Sequence, residues 1–70
     1  MRCTILHRTP GRLRVHLHCV AMTLHQADVV EYYLRAVPGV ADVQVYDRTQ
    51  DAVVRYAGSG DAVVAALASF

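Results

Sequence analysis

The stretch RLRVHLHC, Arg12 to Cys19, changes character at every residue. Leu13, Val15, Leu17 and Cys19 fall on one side, and Arg12, Arg14, His16 and His18 fall on the other. A repeat of two is the repeat of a pleated strand with one face buried. The chain then drops it. Ala27, Val30, Leu34 and Val37 recur at the spacing of a helix lying on a core. Thr23 and Gln26 stand three apart, as a capping box requires, and Met22 ahead of them has the place of a hydrophobic staple. Pro38-Gly39 ends the helix, which the pattern sets over about residues 24–37.

The repeat of two returns in VADVQVY, with Val43 and Val45 inward and Asp42, Gln44 and Tyr46 outward. The polar run Asp47 to Asp51 reads as a turn. AVVRYA follows as the second strand of a hairpin, with Ala52, Val54 and Tyr56 on one face and Val53 and Arg55 on the other. GSGD offers turn residues and an N-cap at Ser59 before a second helix, whose buried stripe is Val63, Leu67 and Phe70. Strand, helix, strand, strand, helix is the split βαβ order of the ferredoxin-like fold without its last strand. The β-prone RCTILH and the turn signal RTPGR precede the first strand. Folded back as a hairpin, residues 2–8 take the vacant edge position. The expected fold is therefore α+β and ferredoxin-like, with two helices on one face of a four-stranded antiparallel sheet. Pro-Gly suits a tight hairpin poorly, so a wider loop over residues 8–12 is expected. That register turns Cys3, Ile5 and His7 toward the helices; a tighter one turns Thr4 and Leu6.

The 70 residues make a single domain, 1–70, with a modest core. At 54% hydrophobic and 19% charged, the chain is composed like a globular domain. A net charge of +1 with no basic run counts against a nucleic-acid reader. The two cysteines are too few for a disulfide scaffold. Nothing reads as a signal peptide or a bilayer span, so a cytoplasmic, reducing setting is expected, with no direct membrane insertion.

HLHCVAM, His16 to Met22, gathers two histidines, a cysteine and a methionine, each able to bind a soft or borderline metal. LHRTPGRLRVHL and PGVADVQVYDRT, flanking an acidic-aromatic helix, resemble the N-terminal domain of bacterial heavy-metal-translocating P-type ATPases. This is the divergent branch of the heavy-metal-associated domain, with a first strand of the form G-R-[LM]-R-V. The resemblance implies a ferredoxin-like, non-catalytic module that precedes a pump, senses or passes a copper- or zinc-class ion, and docks on the pump's cytoplasmic domains. If the chain is complete at Phe70, the pump is absent and the module is either an excised domain or a free-standing relative. Ordinary members carry G-M-x-C-x-x-C after the first strand; here HCVAM keeps one cysteine, Cys19, and Met22 replaces the second.

In the metal reading, Cys19 is the anchoring thiolate, His18 and Met22 are auxiliary ligands, and His16 is the next candidate. The cofactor is then copper(I) or zinc(II). Against it, Cys19 falls on the core-facing side of its strand, where a thiol packs as a small hydrophobe. His16 and His18 share the outward face, two apart, where their side chains can reach a common ion; adding His25 would give a borderline-metal set for zinc, nickel or copper(II). Exposed histidines there are also ordinary solvated residues. His25, in the first turn of the helix, is expected to face solvent. In the alternative reading the domain binds no metal. It docks a protein through its open face, where Arg14, Arg55 and Tyr46 are interface-type residues. A second copy of the chain is a further candidate partner. No paired carboxylates near a histidine and no glycine-rich phosphate loop support catalysis.

Overall fold

The computed structural model describes all residues, Met1 to Phe70. Six elements follow in order: β1 (Cys3–Thr9), β2 (Arg12–Leu17), α1 (Leu24–Arg35), β3 (Val40–Tyr46), β4 (Asp51–Tyr56) and α2 (Asp61–Ser69). They form one α+β unit with a four-stranded antiparallel sheet in the order β1-β2-β4-β3. The alternation of β2 and β4 settles which face is dry. Leu13, Val15 and Leu17 meet Val43, Ala52, Val54 and Tyr56 in one cluster with Val30 and Leu34 of α1 and Val63 and Leu67 of α2. Both helices thus cover the same sheet face, and the other face is left open.

The start of α1 follows the sequence closely. The Gln26 amide N–H donates to Thr23 Oγ1 at 3.1 Å, and the Thr23 N–H donates to Gln26 Oε1 at 3.0 Å. Two amides that the first helical turn cannot satisfy internally are thereby paired. Arg35 closes the other end, donating to Glu31 and to the Val43 carbonyl, which ties α1 to β3. Tyr33 packs against the core, whereas Tyr32 is exposed.

Residues 3–9 do form the edge strand beside β2, but not through a wide loop. Thr9 pairs with Arg12 across a two-residue Pro10-Gly11 turn. Gly11 takes a φ of +81°, as the second central residue of a type II turn requires. Such a turn splays its strands. A bulge at Leu6, where pairing passes from Ile5↔Val15 to His7↔Arg14, adds right-handed twist in compensation. The bulge also switches faces. Cys3 and Ile5 share the helix side with Leu17 and Val15, as the wider register required, but His7 turns to the open face and Arg8 takes its place. Arg8 then donates to Asp61 of α2 at 3.0 Å.

Three other expectations need correction. Asp51 is not a turn residue; it opens β4 and is only 7% exposed. Ser59 lies one residue before the N-cap Gly60, although its hydroxyl does accept the Asp61 N–H. Phe70 is not buried, because the helix ends at Ser69 and the ring instead rests edge-on against Tyr33, with centroids 4.9 Å apart.

Candidate functional site

The four ligand-type residues of HLHCVAM leave β2 in two directions. The strand's alternation sends His16 to the open face, and His18 follows it there just beyond the last residue of β2. The backbone of this exit is held by Gln50, the one non-glycine residue with positive φ, at +60°. Its carbonyl accepts the Leu17 N–H at 2.7 Å, and its side-chain amide donates to the Cys19 carbonyl at 3.2 Å. Bent over this anchor, the loop returns Cys19 and Met22 to the helix side. There they line an apolar pocket of about 130 Å³ with Met1, Gln26, Val29, Val30 and Phe70. Three sulfur-bearing side chains therefore border one opening. Cys19 is half-buried and a free thiol, as is Cys3.

On the open face a carboxylate missed by the sequence reading organises its neighbours. Asp51 lies opposite His16 on β2 and opposite Tyr46 on β3. Arg14 Nη2 donates to its Oδ2 at 3.0 Å, and His16 Nδ1 donates to its Oδ1 at 2.9 Å. The His16 hydrogen bond holds the Asp51 carboxyl below the usual carboxylate range, and Arg14 adds to the effect while burial opposes it. Beside this pair, His18 Nε2 and Thr4 Oγ1 are 2.6 Å apart. A signal for Asp51 was present in the sequence, since it falls on the same side as Val53 and Arg55. Its place in DRTQD concealed it.

The structure thus unites Cys19 with Met22, and His16 with His18, but does not join the two pairs. No group of three or more His, Cys, Asp or Glu side chains is arranged to hold a metal ion together. His25 is exposed on the first turn of α1. Of the docking residues, Arg14 is engaged by Asp51, and Tyr46 donates its hydroxyl to Gln44 at 2.9 Å. Arg55 forms no ion pair and sits directly across from Arg12, another guanidinium without one.

No protein-family model, no curated protein and no solved structure matches this chain. No helix is long and apolar enough to cross a membrane.

Proposed function

We propose that the chain is a ferredoxin-like, heavy-metal-associated-type module that binds a soft transition-metal ion at Cys19 and Met22 and passes it to, or senses it for, a P-type ATPase. One observation carries this reading: the thiol and the thioether that stand where a two-cysteine motif would stand line the same pocket. A thiolate with thioethers suits copper(I) better than zinc(II), because soft sulfur donors prefer the softer ion. Few ligands and a mouth open to solvent leave a coordination position for an acceptor, as transfer requires. The sheet order, with the N-terminal strand beside β2, supports the ferredoxin-like assignment, since that edge is where the fold's last strand belongs. The module carries no catalytic step in this reading; the chemistry of transport belongs to the pump.

The test is a competition titration of reduced protein with copper(I) against a colorimetric chelator. Wild type should withdraw one equivalent, Met22→Leu should hold it more weakly, and Cys19→Ala should withdraw none. Equal copper retention by wild type and Cys19→Ala would overturn the assignment.

A second reading, docking without metal, is favoured by Arg12 and Arg55. Like charges directly opposite in a sheet repel one another, and an acidic surface of a pump's cytoplasmic domain would relieve that repulsion. Arg55→Glu should then abolish the NMR shifts caused by adding those domains to metal-free protein while its own amide spectrum stays dispersed. Unchanged shifts would sink this reading.

A further inference from the structure

His16 and His18 carry an arrangement that the sulfur pocket does not use. Their rings lie 5.4 Å apart, centre to centre, with planes at 79°. Two imidazoles on one tetrahedral ion need a similar spacing. With a metal–nitrogen bond of about 2.0–2.1 Å and about 1.1 Å more to each ring centre, the centres stand about 5.2 Å apart. The observed separation is therefore compatible with both rings reaching one ion.

The other ring nitrogens are already occupied by oxygen partners. His16 donates Nδ1–H to Asp51 Oδ1, and Asp51 is itself fixed by Arg14. A carboxylate on the far nitrogen is the usual companion of a metal-bound histidine, because it sets the tautomer and raises the basicity of the ligating nitrogen. Here it leaves the Nε2 lone pair of His16 free. Thr4 Oγ1 at His18 Nε2 has the corresponding place: when it accepts that N–H, the Nδ1 lone pair of His18 is free. Asp51 also offsets the charge of Arg14, which would otherwise repel a cation beside the rings.

We propose that His16 and His18, oriented by Asp51 and Thr4, form a second metal site on the open sheet face, selective for a borderline divalent cation of the zinc(II) or nickel(II) class. Imidazole nitrogen suits these ions, whereas copper(I) prefers the sulfur pocket on the other side of the sheet. Water or a partner's side chain completes the coordination, so the ion exchanges readily. The site does not depend on the sulfur-pocket reading.

The test is titration of the full chain with zinc(II) in a Cys19→Ala background, following the imidazole nitrogens by long-range ¹H–¹⁵N NMR. The expected result is a saturable one-to-one shift at His16 Nε2 and His18 Nδ1, with His7 and His25 unmoved. His18→Gln, at an exposed position outside the core, should abolish the shift at His16 while the amide spectrum stays dispersed. Asp51→Asn should weaken binding about 10- to 100-fold, the usual effect of removing an orienting carboxylate. Absence of a saturable shift, or a shift that survives His18→Gln, would overturn the site. Zinc binding that appears only when Cys19 is present would also overturn it, while leaving the sulfur pocket standing.

Discussion

Asp51→Asn isolates the contribution of the one buried carboxylate. Asparagine keeps the shape of the side chain and one acceptor oxygen, but its amide NH₂ must face either Arg14 or His16, both of which donate. A hydrogen bond to a charged group contributes about 1.5–3 kcal/mol when water is excluded. The two donor side chains are 42% and 39% exposed, so water replaces part of what each loses. The net cost should be about 1–2 kcal/mol. For a domain of this size that lowers the melting temperature by about 5–15 °C. The pH dependence gives an independent check. Asp51 is held below its ordinary pKa in the folded state, with the His16 hydrogen bond as the largest cause. Its stabilisation is therefore fully present above the unfolded value of about 3.9 and is lost as pH falls through the folded one. Wild type and Asp51→Asn should differ at neutral pH and converge in acid, as read by thermal melts monitored by circular dichroism. Equal melting temperatures at pH 7, or a gap that persists unchanged to pH 2, would refute the reasoning.

Other perturbations follow from single contacts. Thr23→Ala removes one half of the capping box and should cost about 1 kcal/mol, measured by denaturant midpoint. Leu34→Ala empties a fully buried position of the core and should cost about 2–5 kcal/mol, enough to populate the unfolded state visibly by NMR in so small a domain. Gly39→Ala combines a φ of +89° with a new Cβ 3.0 Å from the Ala57 carbonyl oxygen; a loss of about 1–2 kcal/mol should appear in the same denaturant assay. Removing residues 1–8 strips β1 from β2 and frees the amino terminus from the Leu67 carbonyl. The truncated chain should lose its cooperative melt.

The parts of this fold that could be read from the chain are those set by local repeats. Leu13, Val15 and Leu17 follow a period of two, and Ala27, Val30 and Leu34 follow the helical period, so their buried faces required no knowledge of their neighbours. Thr23 and Gln26 bond each other within one turn, which makes the capping box visible as a spacing. The bulge at Leu6 is different in kind: it reconciles a tight Pro-Gly turn with the twist of the strands, and neither constraint is written in either strand alone. Asp51 was misplaced for a related reason. Its burial is produced by Arg14 and His16 on one neighbouring strand and Tyr46 on the other, all remote from DRTQD or across its turn. The candidate ligands were all legible as residue types. The alternation of β2 also put Cys19 on the core side and His16 and His18 on the other. The pocket that Cys19 shares with Met22 was not legible, because it depends on how Gln50 holds the chain after Leu17.

The most direct test of the metal reading is X-ray absorption at the copper edge on reduced protein loaded with one equivalent of copper(I). Sulfur should be the nearest scatterer, with the signal altered by Met22→Leu and abolished by Cys19→Ala. A shell made of nitrogen or oxygen alone, unchanged in Cys19→Ala, would contradict it.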